Sequence, residues 1–249
     1  MAHEQVQGLL QFLKESPTAF HAVESICSRL TGFEPLQENA RWRLQTGGRY
    51  YVTRNRSSVI AFTVPQRGFA PFQLIASHTD SPTFRIKPNA EMTGEGGIVR
   101  LNTEVYGGPI LSTWMDRPLT IAGRVITRGE DALSPVTHLI HIRRPLMQIS
   151  NLAIHFNRQV NDGVKLNRQK DMLPILGFVN DELERGNMLI NLVVEELNRT
   201  ATVTRDDIID FDLYLADTTP ACTFGAHNEL ISSGRLDDLS MCYAGLEAL

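Results

Sequence analysis

The segment Phe72-Gln73-Leu74-Ile75-Ala76-Ser77-His78-Thr79-Asp80-Ser81-Pro82 places the tightest limit on the fold of this chain. A mostly apolar run leads straight into a polar cluster, the pattern of a buried parallel strand that ends at a site. Such strands belong to α/β architectures, where ligands gather outside the carboxyl ends of the strands. His78 and Asp80 fall at that end. Spaced by two, they leave the strand on the same side, so Asp80 can accept a hydrogen bond from the far ring nitrogen of His78. That contact fixes the imidazole tautomer and makes the other nitrogen a better metal ligand.

The flanking sequence agrees with an α/β domain. Val6, Leu9, Leu10 and Leu13 have helical spacing within residues 5–14, and Ser16-Pro17-Thr18 ends that helix and opens a second, Ala19 to Leu30, with Thr18 as its cap. His21 lies in the second helix as an isolated, structural histidine. Arg49 to Arg54 and Val59 to Val64, joined by a short polar turn, predict a hairpin. After Pro88 the texture changes. Glycines punctuate short β-rich runs at Ile98–Val105, Leu119–Thr127 and Val136–Arg143. From Gln169 to Arg199 a helical period returns, with Met188, Leu189, Leu192, Val193 and Leu197 on one face and Glu195-Glu196 on its solvated side. Ile208 to Ala216 then alternates as a strand returning to a sheet. The expected organisation is an α/β domain begun by residues 1–88, interrupted by a β-rich module over 89–207 and resumed over 208–249.

Composition narrows the function classes. A formal net charge of −4 and a pI near 6.0 leave no basic footprint for nucleic acid. Cys27, Cys222 and Cys242 are too few and too scattered for a disulfide framework, which fits a reducing, cytoplasmic setting. The first residues lack the basic start and apolar stretch of a signal peptide, and no apolar run approaches the ~20 residues of a membrane helix.

A second polar cluster, Gly234-Arg235-Leu236-Asp237-Asp238-Leu239, precedes the helical run Ser240 to Leu249. Carboxylates at a loop-to-helix junction can cap the helix or favour its dipole. They can also bridge two metal ions that activate a shared water. Five ordered segments carry a family resemblance. They are Ser77 to Pro82, Tyr106-Gly107-Gly108-Pro109, Trp114-Met115-Asp116-Arg117-Pro118-Leu119, Asn151 to Arg158, and Gly234 to Leu239. Together they resemble the aspartyl aminopeptidase family, cytosolic dizinc exopeptidases. The resemblance implies a zinc-exopeptidase-like α/β catalytic domain interrupted by a β-rich dimerisation domain. It implies that His78 is a zinc ligand, Asp80 its orienting carboxylate, Asp237 the aspartate bridging two Zn2+ ions, and Asp238 a residue behind the metal. His155 matches the family's functional histidine, either a zinc ligand or a group reaching the substrate in a neighbouring subunit. Alternation of Leu152, Ile154 and Phe156 predicts a strand with His155 on the opposite face.

The implied activity is removal of N-terminal residues from peptides, with a preference for Asp or Glu, by a homo-oligomer with no nucleic-acid or membrane partner. Such chemistry also needs a glutamate base, an adjacent glutamate ligand, another acidic ligand and a final histidine, and nothing between Asp238 and Leu249 supplies them. With its last residues still reading as helix, the chain is expected to be a fragment, inactive by itself. The competing readings are another dizinc hydrolase, such as a deacylase, and a non-catalytic assembly protein.

Overall fold

The computed structural model describes residues 2–68, 71–179 and 187–249. They form a mixed α/β fold of two compact units, one made of Met1–Ser81 with Pro220–Leu249 and the other of Pro82–Thr219.

The first unit opens with helices α1 (Ala2–Glu15) and α2 (Ala19–Arg29). Thr18 is extended at the N-cap of α2, but its hydroxyl meets Nδ1 of His21 at 2.8 Å rather than capping the backbone. β1 (Glu34–Leu36), which the sequence reading did not anticipate, pairs in parallel with β2 (Arg49–Arg54). β2 forms the expected antiparallel hairpin with β3 (Ser58–Thr63). Asn55 and Arg56 turn it in the left-handed region, with φ of 51° and 54°, as tight hairpins require. Helix α4 (Leu236–Glu247) completes this unit's core, where Leu239 and Cys242 meet Phe12, Leu13, Ala22, Ile26 and Leu30. α4 ends at Glu247, so the helical reading through Leu249 was too long.

The second unit is built on a six-stranded, wholly antiparallel sheet. Its strands are β4 (Thr83–Thr93), β5 (Ile98–Tyr106), β6 (Leu119–Thr127), β7 (Val136–His141), β8 (Ile175–Phe178) and β9 (Ile208–Asp217), ordered β7-β6-β9-β4-β5-β8. Helix α3 (Met188–Leu197) buries Leu189, Val193 and Leu197 in the same core as Phe84, Ile121 and Leu213. At Gly123 the β6 backbone runs so close to β9 that an added Cβ would lie 2.0 Å from the Asp212 carbonyl oxygen. Strands β10 (Cys222–Phe224) and β11 (Leu230–Ser232) form a separate hairpin of the first unit.

Three sequence expectations are corrected. Residues 71–81 form no strand, and Phe72, Leu74 and Ile75 are 94%, 86% and 61% exposed. A strand exists only where a neighbour takes its backbone hydrogen bonds, and no strand among the described residues pairs with this segment. The β-rich unit is wider than 89–207, because β4 and β9 are its two central strands rather than parts of the other sheet. The helical period read over 169–199 is partly strand, at β8, and residues 180–186 within it lie outside the described residues.

Candidate metal centre

His78 stands in the irregular segment 71–81, held there by side chains rather than by a sheet. Thr79 Oγ1 donates to the Ser57 carbonyl in the turn between β2 and β3 at 2.8 Å. Asp237 stands at the irregular start of α4, where Arg235 has a left-handed φ of 63° and the Asp237–Asp238 peptide is cis. Arg235 ties this junction to the end of α1, donating from Nη2 to the Leu13 carbonyl at 3.1 Å. That carbonyl belongs to the last turn of α1, where helix carbonyls lack intrahelical donors.

These two segments, far apart in sequence, bring three of the proposed residues together. His78 Nδ1 lies 3.1 Å from Asp80 Oδ1 and 3.0 Å from the Asp80 carbonyl oxygen. His78 Nε2 lies 3.2 Å from Asp237 Oδ1. Both ring nitrogens therefore face oxygen acceptors. A neutral imidazole has one N–H, so one nitrogen would set its lone pair against a carboxylate. The arrangement calls for a positive charge, either a second ring proton or a cation beside Nε2. Burial is the largest single influence on the His78 pKa and lowers it. The hydrogen bonds to Asp80, with the charges of Asp80 and Asp238, outweigh it and raise the pKa above its ordinary value.

The donor chemistry and spacing fit zinc. Imidazole nitrogen and carboxylate oxygen both bind Zn2+ at ~2.0–2.2 Å, so two ligands of one tetrahedral ion lie about 3.3 Å apart. The His78–Asp237 separation of 3.2 Å is close to that. The side chains of His78, Asp80 and Asp237 are 53%, 46% and 93% exposed, leaving the pair open to further ligands. Among the described residues no group of three or more His, Cys, Asp or Glu side chains could hold a metal ion. The pair by itself offers a metal ion two donors.

Around the pair lies a shell that the sequence reading largely missed. Asp238 Oδ2 accepts the His78 N–H at 3.1 Å, and Cys242 Sγ donates to the His78 carbonyl at 3.2 Å. Ser77 Oγ donates to Cys242 Sγ at 3.3 Å, and Ser81 Oγ to the Asp237 carbonyl at 3.4 Å. Burial, with the charges of Asp238 and Asp80, pushes the Cys242 thiol up, so it stays protonated and able to donate.

His155 belongs to the other unit. It lies in the turn 154–156, not on a strand, because its backbone neighbours close local bonds, Phe156 N–H to Ala153 and Asn157 N–H to Ile154. Leu152, Ile154 and Phe156 all face outward, 65%, 51% and 81% exposed. The base of this segment is held by Asp116, whose carboxylate accepts from the Asn151 N–H at 3.0 Å and from Asn151 Nδ2 at 2.8 Å. Glu195 is exposed on α3, as expected for a solvated helix face, whereas the side chain of Glu196 is largely covered and pairs with Arg199 at 3.2 Å.

Residues 12–249 match the family described as aminopeptidase I zinc metalloprotease (M18). The probable M18 family aminopeptidase 2 of Clostridium acetobutylicum is 51% identical over 251 residues, 99% of this chain and 57% of that protein. Among solved structures, Ape4 in its complex with Nbr1 is 34% identical with a TM-score of 0.94, covering 99% of this chain and 50% of that one. Chaetomium thermophilum mApe1 is 30% identical with a TM-score of 0.83, covering 98% and 57%. The chain thus spans about half the length of these relatives. With His78 and Asp237 juxtaposed and the match running through nearly all of its residues, the chain belongs to the M18 family of zinc aminopeptidases, the aspartyl aminopeptidase family.

Proposed function

We propose that the full-length protein is a zinc-dependent aminopeptidase that releases N-terminal residues, Asp or Glu by preference, from peptides, and that this chain holds one part of its centre. The observation that carries this reading is the His78–Asp237 pair, spaced for one metal ion and oriented from behind by Asp80. His78 Nε2 and the Asp237 carboxylate would hold zinc. Bound zinc polarises a peptide carbonyl and lowers the pKa of its water. Asp80 keeps Nδ1 occupied, so that Nε2 is the nitrogen presented to the metal. The open carboxylate of Asp237 has a second oxygen for another cation, which supports two zinc ions per site.

The same proposal includes a cytoplasmic homo-oligomer. The three cysteines of this chain are free thiols, as a reducing compartment leaves them. No helix among the described residues is long and apolar enough to cross a membrane. His155, on an outward apolar turn of the β-rich unit, suits a group offered to a neighbouring copy.

The test uses the full-length enzyme, with metal analysis alongside hydrolysis of peptides bearing different N-terminal residues and of their N-acylated forms. His78→Ala and Asp237→Ala should each lower bound zinc and remove most turnover of free-amine peptides. Normal zinc content and turnover in His78→Ala would sink the ligand assignment. Cleavage confined to N-acylated substrates would make the protein a deacylase instead.

A further inference from the structure

α4 supplies more than Asp237. Asp238 stands in the irregular start of α4 and Cys242 four residues on, within the helix. Both reach the same residue. Asp238 Oδ2 takes the His78 N–H at 3.1 Å, and the Cys242 thiol donates to the His78 carbonyl at 3.2 Å. A residue held by both main-chain groups cannot rotate about φ or ψ without losing a contact, so the direction of its Cα–Cβ bond is set by the element that grips it. Asp237 is carried by that same element. α4 and its irregular start therefore hold both members of the donor pair, which matters because residues 71–81 have no sheet to fix them. Ser77 Oγ, 3.3 Å from Cys242 Sγ, occupies the thiol's acceptor side and leaves its hydrogen for His78.

We propose that Cys242 is a positioning residue of the metal centre, aiming the His78 imidazole by holding the His78 carbonyl. The inference rests on the zinc reading of His78 and Asp237. Its rival is that Cys242, 5% exposed beside Leu239 and Phe12, merely fills the core as a small apolar residue. The two roles rank substitutions in opposite orders. Serine keeps a donor for His78 and an acceptor for Ser77 but is a poorer core residue; alanine is apolar and lacks the donor.

The test compares zinc retention by full-length Cys242→Ser and Cys242→Ala proteins in competition with a chelator, with thermal unfolding of the metal-free forms as the folding control. Losing a group behind a metal ligand typically costs about 10–100-fold in affinity, and a thiol is a weak donor, so Cys242→Ala should raise the zinc dissociation constant by about tenfold. Cys242→Ser should retain zinc nearly as well as the parent, although its metal-free form melts no higher than that of Cys242→Ala. Parent-like zinc retention in Cys242→Ala, or a loss in Cys242→Ser as large as in Cys242→Ala, overturns the proposal. If Cys242→Ala does not fold, Cys242→Val fills the space without a donor and the same ranking against serine decides. A parent enzyme that holds no stoichiometric zinc removes the metal reading, and the positioning role with it, whatever the ranking of the variants.

Discussion

At the scale of single residues, the centre turns on how one imidazole is shared between two carboxylates. Asp80 grips Nδ1 twice, through its side chain and through its own carbonyl. Asp80→Asn keeps the carbonyl contact and loses the charge, so zinc affinity and turnover should fall by about tenfold, the lower end of the range for groups behind a ligand. Isothermal titration with zinc and steady-state kinetics check this, and a loss as deep as that of His78→Ala would mean that Asp80 itself contacts the metal or substrate. The contact between His78 and Asp80 was legible in the sequence because two residues at a spacing of two leave an extended segment on one side. The partnership of His78 with Asp237 was not. No periodicity links residues 159 apart, and the expectation came from family resemblance. Cys242 was missed because a lone cysteine in an apolar helical run reads as core, which it also is.

At the scale of elements, alternation served well wherever two neighbours were adjacent in sequence. β2 and β3 close on a turn of a few residues, so pattern and pairing coincide. The pattern of 72–76 was equally strong, but pattern gives only the side chains' preferences, and a strand also needs a partner for its backbone. The segment around His155 failed similarly: Leu152, Ile154 and Phe156 alternate, yet local turn bonds hold the chain there. Asp116 anchors that segment, and its pKa lies below the ordinary 3.8, mainly through the N–H and the side chain of Asn151, against the opposing effect of burial, with Gln148 adding least. A carboxylate with a depressed folded-state pKa stabilises above its unfolded value and loses that contribution as pH falls through the folded value. Asp116→Ala should therefore speed chymotryptic cleavage after Phe156 severalfold at neutral pH. In the parent, pepsin cleavage between 151 and 158 should accelerate below pH 3.8. Equal cleavage of parent and variant at neutral pH would show that the segment is held by something else.

At the scale of the whole molecule, assembly is open to a complementation test. Full-length His155→Ala and His78→Ala proteins, each inactive, are mixed and allowed to exchange subunits. If His155 serves a neighbour's site, mixed dimers contain one site with both lesions and one with neither, and some activity returns. If His155 acts within its own subunit's site, every site keeps one lesion and none returns. A strictly monomeric parent by light scattering would rule out both the contact and the shared site. The change of texture after Pro88 pointed to a different module, because glycine-punctuated β runs look unlike amphipathic helices, although the unit itself starts at Pro82. Its limits were less legible. β4 and β9 are assigned to this sheet by their pairing with β5 and β6 as well as with each other, and pairing between distant segments leaves no mark in the sequence pattern.

That pairing has a further consequence. β4 is the first strand of the β-rich unit and β9 its last, yet they lie side by side and antiparallel, with Arg85 opposite Tyr214 and Thr83 Oγ1 donating to the Leu215 carbonyl at 2.7 Å. Neighbouring strands are ~4.8 Å apart, so everything from Pro82 to Thr219 begins and ends at almost one point. To the remainder of the chain it amounts to a tether no longer than a tight turn. Such a cassette can be lengthened, exchanged or cut out and replaced by a few residues without stretching its host, and it leaves with its sheet complete.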